Sequence, residues 1–195
     1  AETASSAFEH FSSDVIDLKR FWLQSIYAGL VAKHLAKMLR IRGSERFFLL
    51  GLLHNLGELL VAVQAPDLAI KCCKYDEKIS PWKLQRQVLG FDYASCSAKL
   101  MEFWHLPSQL YIPMIDVHNE NKALVQKDVA VIYTAVRSGI AMTHDNLYSA
   151  SQLITPLVLK YLNLDQEDLN DAIKFAYMEA DGVLAAMNPS LHSYK

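Results

Sequence analysis

The chain has 195 residues but only 3 cysteines, Cys72, Cys73 and Cys96, in no CxxC spacing. An odd number of thiols without a framework argues against both a disulfide scaffold and a cysteine-held metal cluster, and predicts reduced thiols packed as small apolar groups. Cys72 and Cys73 are adjacent, so within a helix they point in different directions and make a poor redox pair. The chain also has little excess charge. Its formal net charge is −2, and Lys and Arg are scattered instead of forming a basic stripe, so the electrostatic footprint of a nucleic-acid binder is missing. Long clean apolar runs are missing as well. The most apolar stretch, 47–63, is interrupted by His54, Asn55 and Glu58 and falls short of the ~20 apolar residues that span a bilayer, so no membrane helix is expected. Nor do residues 1–20 have the order of a secretion signal, and a cytoplasmic location is expected. Period-two alternation is absent too, which removes the main signal for strands.

What is present is helical periodicity and enough apolar residues, 52%, to bury a sizeable core. An all-α fold follows. Ser12, Ser13 and Asp14 offer an N-cap to a long helix whose stripe is Phe21, Trp22, Ile26, Leu30, Leu35 and Leu39, with Gly43 as its stop. Ser44 is placed to cap a helix over about 45–63, apolar on every side and so expected at the buried centre. Gly51 and Gly57 within it imply close packing of a neighbour. Further helices are expected at about 66–76, 81–89, 92–104, 108–118 and 125–142, punctuated by Pro66, Ser80-Pro81, Gly90 and Pro107-Ser108. Two more follow, one opening at Thr155-Pro156 and one at Asp165, with Asp168 near its positive end, running to about Met187.

Four segments, in order, carry a resemblance: FWLQSIYAGLVAKHLA (21–36), FFLLGLLHNLGELL (47–60), LGFDYASCSAKLMEFWHLP (89–107) and MIDVHNEN (114–121). Together they resemble the HDOD family, the HD-related output branch of the HD metal-dependent phosphohydrolases. The resemblance runs from about Phe21 to Thr143 and implies an orthogonal helical bundle around the 45–63 helix. It divides the chain into an HDOD-like domain over 1–143, lacking most of the usual upstream helical half, and a helical extension over 144–195 packed on it.

In catalytic members of the superfamily the resemblance implies a divalent metal held by histidines and aspartates from several helices, which polarises a phosphate and acidifies a water. Here Gln24 stands for the first histidine, and His54 keeps the histidine of the His-Asp doublet while Asn55 replaces its aspartate. Tyr93 replaces a further histidine, His118 is retained while Asn119 replaces its neighbour, and Val136 stands where the last carboxylate belongs. Two imidazoles are a poor cage for Mg or Mn, which prefer oxygen. No catalytic residue, metal or other cofactor is therefore expected. Glu58 reverses the cation that many relatives carry, and is expected at a helix edge, paired with His54 or solvent; a rescued His54, Glu58, His118 metal site is the sharper alternative.

The remnant could persist as a pocket around His54, Glu58, Tyr93 and His118, with Trp104 and Tyr111 as further aromatic walls. His144-Asp145, the one literal His-Asp pair, reads as a turn or cap. The leading expectation is a non-catalytic bacterial output domain that binds a protein partner, with Phe175, Tyr177 and Met178 as its candidate surface. The alternatives are a residual phosphohydrolase and a nucleotide-sensing module.

Overall fold

The computed structural model of the protein describes residues 15–187, among which there is no strand. The Ser12–Asp14 cap lies outside them; within them Asp17 caps α1 (Leu18–Met38), its carboxylate accepting from the Arg20 N–H at 3.0 Å. The other end of α1 does not stop at Gly43. Arg40 takes the left-handed conformation at φ 53°, so that its N–H reaches Lys37 O at 3.0 Å and the Ile41 N–H reaches Ala36 O at 2.9 Å. These two bonds close off carbonyls that the helix end would otherwise leave open.

The expected 45–63 helix is two helices, α2 (Glu45–Leu53) and α3 (Leu56–Gln64), with His54 and Asn55 at the junction. Asn55, at φ −104° and ψ 9°, leaves helical geometry and starts α3 in a new direction. Ser44 makes no side-chain cap. Nor is the segment buried all round, because Leu49, Leu60 and Val63 are exposed. Glu45–Gln64 together has the length and hydropathy of a membrane span, but it is broken in the middle and 56% of it is buried inside the fold.

Both glycines of this segment sit at close approaches. A Cβ on Gly51 would lie 2.4 Å from the Gly29 backbone N, which lets α2 cross α1 with almost no separation. A Cβ on Gly57 would lie 2.4 Å from Tyr93 O, where α3 meets α6 (Tyr93–Phe103). Between them in sequence run α4 (Pro66–Cys72) and α5 (Pro81–Leu89), the latter ended by Gly90 at φ 84°. Asp92 caps α6 through the Ser95 N–H at 2.8 Å and pairs with Arg86 at 2.6 Å. The cysteines are free thiols.

The expected 108–118 helix is a 3-10 turn at Ser108–Leu110 followed by the short α7 (Ile112–Ile115), which leaves His118 in a turn. Asn119 caps α8 (Glu120–Ala123) by accepting from Lys122 N. The most deeply buried helix is α9 (Lys127–Thr143), in which every residue from Val129 to Met142 is buried. It packs against α1, which also carries α2 and α12 (Gln166–Met187). Between α9 and α12 lie α10 (Ala150–Leu153) and α11 (Pro156–Tyr161), whose Val158 and Leu159 join the same hydrophobic core. Thr155 does not cap α11 with its side chain; its hydroxyl instead bonds Glu120 at 3.0 Å and lies 3.1 Å from the Tyr133 hydroxyl.

Asp165 and Asp168 open α12 reciprocally, each carboxylate accepting the other's N–H, at 2.9 and 3.0 Å. The helix docks through Leu169, Ala172, Ala176, Ala180 and Leu184, a single face at three- and four-residue spacing. Of the expected surface residues Tyr177 and Met178 are exposed, whereas Phe175 packs on His34 with ring centroids 4.6 Å apart.

Candidate functional site

The junction between α2 and α3 faces a small polar cavity. It is lined by Gln24 from α1, His54 and Asn55 from the junction, Glu58 from α3, Tyr93 from α6, His118 from its turn and Val136 from α9, together with Tyr75, Trp82 and Gln85. Seven positions singled out from sequence thus converge, from four helices, the junction and a turn. Asn119 does not join them: it is exposed and occupied in capping α8. Of the aromatic walls only Tyr93 is in place, Trp104 being exposed and Tyr111 packed elsewhere, and Tyr75 and Trp82 take their positions.

Each polar group is held by its neighbours. His54 Nδ1 lies 2.6 Å from Gly51 O, and because a carbonyl only accepts, Nδ1 carries the proton and Nε2 is left a bare, buried acceptor. Burial pushes the His54 imidazole down to about 4, so it is neutral at physiological pH. Glu58 is not at a helix edge beside His54 or solvent. It is buried, and its carboxylate accepts from Asn55 Nδ2. Desolvation raises it to about 7, more than the Asn55 hydrogen bond lowers it.

Ser97 fastens the junction to α6. Its hydroxyl accepts the Gly57 N–H at 2.8 Å and can donate to His54 O or Tyr93 O, each at 2.8 Å. The Tyr93 N–H in turn donates to Gln85 at 3.0 Å, while burial drives the Tyr93 phenol far above its ordinary range.

His118 lies flat on Trp82, with centroids 4.7 Å apart and planes inclined by 7°. Its imidazole is held well below its ordinary range, first by burial and then by the positive charge of Arg137. Sequence reasoning missed Arg137. This buried guanidinium lies 4.3 Å from the Trp82 ring centre and 3.3 Å from that of Tyr133, and donates to Val117 O at 3.1 Å and Tyr133 O at 3.2 Å. The available signal was a lone arginine in the otherwise uncharged run Val129–Met142.

The space enclosed is about 20 Å³, room for roughly one water molecule. A nucleotide-sized pocket is therefore absent from this position. The divalent ion that the superfamily implies does not fit the residues either. Among the described residues no group of three or more His, Cys, Asp or Glu side chains is gathered to hold a metal. The one carboxyl here already accepts a hydrogen bond from Asn55, so beside two imidazoles the position offers a cation a single carboxyl that is otherwise engaged. His144, read from sequence as a turn or cap, does end α9, but it is buried and lines a second cavity on the far side of Glu58.

Solved structures share this fold. The MmoQ response regulator from Methylococcus capsulatus str. Bath superposes with a TM-score of 0.61 at 16% identity, over 86% of this chain and 65% of its own. A protein from Shewanella amazonensis SB2B named "Putative phosphohydrolase" gives a TM-score of 0.62 at 22% identity, over 86% of this chain and 62% of its own. The chain thus spans less than two thirds of the length of either. No curated protein matches it. The sequence profile of the HDOD domain matches residues 2–120, a span that contains the helix junction, Glu58, Tyr93 and His118. With more than half of its length matched in this way, the chain belongs to the HDOD domain family.

Proposed function

We propose that this HDOD domain is a non-catalytic signalling module that acts in a bacterial cytosol by binding a protein partner. The observation that carries the reading is the Asn55–Glu58 hydrogen bond inside a water-sized cavity, where an HD enzyme would place an ionised aspartate on a metal. A neutral amide where the aspartate would stand, with the neighbouring carboxyl engaged by that amide, leaves little charge to offset a divalent ion, and without the ion there is nothing to acidify an attacking water. We assign the partner surface to α12 because Met178 is exposed there beside Tyr177, which is half-exposed and packs edge-on with Tyr27 at 5.2 Å, on a helix whose opposite face is docked. The name of the Shewanella protein favours the competing reading, a residual metal-dependent phosphohydrolase using His54, Glu58 and His118.

One preparation separates the two. Purified protein is to be analysed for bound metals and assayed with phosphodiester and phosphomonoester substrates in the presence of Mn and Mg. No stoichiometric ion and no turnover are expected. Turnover that disappears in His54→Ala would overturn the proposal.

A further inference from the structure

The end of α6 leaves large apolar side chains uncovered. His105 takes the left-handed conformation at φ 57°, which lets its N–H reach Glu102 O and the Leu106 N–H reach Met101 O, each at 3.0 Å, so the helix stops and the chain turns. At this turn Phe103 is 76% and Trp104 53% exposed. The 3-10 turn Ser108–Leu110 that follows touches α2, α6 and α7. Ile112 and Ile115, three residues apart on α7, and Leu49 on α2 are exposed as well. Between α2 and the 3-10 turn runs an open groove of about 480 Å³, whose walls include Phe48, Leu49, Pro107 and Leu110. That volume is ample for an aromatic side chain. Only three residues of chain lead from Trp104 to Pro107, so their Cα atoms lie within about 11 Å and the uncovered rings adjoin the groove.

Charge on this face does not oppose a second copy of the chain. Glu45 and Arg46, which also line the groove, are paired with Lys33 and Asp128, both at 2.6 Å. Lys99, one turn before Phe103 on α6, is paired with Glu102 at 2.7 Å. α12 is different, since its five acidic residues against one lysine would repel the same helix of another copy. The area fits too. Phe103, Trp104, Ile112, Ile115 and Leu49 leave on the order of 400–500 Å² of apolar surface uncovered. A standard interface takes about 800 Å² from each partner, about 60% of it apolar, so the patch matches what one copy contributes to a stable dimer.

We propose that this face is a homodimer interface, in which Phe103 and Trp104 of each copy enter the groove of the other. Rings and groove lie side by side on one surface, so a two-fold axis between them makes the same contact twice. The interface does not use α12, and it stands or falls independently of the partner surface assigned there.

The test is sedimentation equilibrium of the 195-residue chain. Twice the 22.0 kDa chain mass is expected, with a Kd of about 10 µM or tighter. Phe103→Lys and Leu49→Asp, both at exposed side chains and checked for native helicity by circular dichroism, should each weaken dimerisation at least about tenfold. Mixed together, the two variants should form a dimer that neither forms with itself, because the native rings of one meet the native groove of the other and the introduced charges pair across the second contact. Ile70→Asp, at a half-exposed apolar residue of α4, should change nothing. A monomer at about 100 µM would overturn the proposal and leave the face to another segment or another protein. So would a dimer that survives both Phe103→Lys and Leu49→Asp, which would place the contact elsewhere, or one that Ile70→Asp dissociates equally, which would mark unspecific association.

Discussion

Glu58 is the residue whose sequence reading changed most. Its carboxyl has a folded value of about 7 against an ordinary 4.5, so between these pH values this one group holds more of its proton in the folded protein than in the unfolded chain. Stability contributed by the neutral acid is present below about 4.5 and is lost as pH rises through about 7. His54 and His144 work in the opposite sense. With folded values of about 4 against 6.5, they favour the unfolded chain as pH falls through that window. Glu58→Gln removes only the first effect. It should therefore stabilise the protein at pH 8 by on the order of 1–3 kcal/mol and change little at pH 4.5, as read from urea midpoints at the two pH values. Ser97 gives a second test at this scale. Ser97→Ala leaves the buried Gly57 N–H without its acceptor, and should cost about 1–3 kcal/mol in the same measurement.

Between helices, the decisive contacts are made by residues with the least side chain. Gly57→Ala would force the α3 backbone away from Tyr93 O, a backbone atom that has no rotamer through which to yield. A loss of about 1–3 kcal/mol is expected, measured by chemical denaturation, with near-ultraviolet circular dichroism reporting the disturbed Tyr93. The end of α1 offers the reverse case. Arg40 adopts φ 53° for the sake of the two closing hydrogen bonds, at a cost that glycine does not have. Arg40→Gly should stabilise the protein by up to about 1 kcal/mol, read as a higher urea midpoint with an unchanged slope.

At the scale of the whole molecule, the positions that match the superfamily's metal ligands are occupied by the protein's own polar contacts. His118 on Trp82 and Arg137 to Val117 O tie the turn before α8 to α5 and α9, while Asn55 with Glu58 and Arg137 with Tyr133 O satisfy polar groups locally. If the proposed reading holds, the fold does not depend on a metal. Dialysis against a chelator is expected to leave the thermal unfolding midpoint unchanged, and adding back Mn or Mg should not raise it, since a ligand that binds only the folded state would do so.

The sequence by itself determined the helical class, most helix positions and the family, because periodicity, punctuating prolines and the order of short motifs are local properties of the chain. It also placed the last helix's start at Asp165 with Asp168 near its positive end, and the close approaches at Gly51 and Gly57; that the two aspartates cap each other is seen only in the structure. Only the tertiary structure decided the break at His54-Asn55, since an apolar run reads as continuous until its two halves are seen packing in different directions, one on α1 and the other on α6. The same holds for the site. Matching positions one by one named Gln24, His54, Asn55, Tyr93, His118, Asn119 and Val136, of which all but Asn119 line one cavity. That Asn119 would turn away to cap a helix, that Glu58 would be buried on Asn55, and that Arg137 and His144 would lie beneath the surface depend on which helix faces which. That arrangement is set by long-range packing, and periodicity along a single helix carries no record of it.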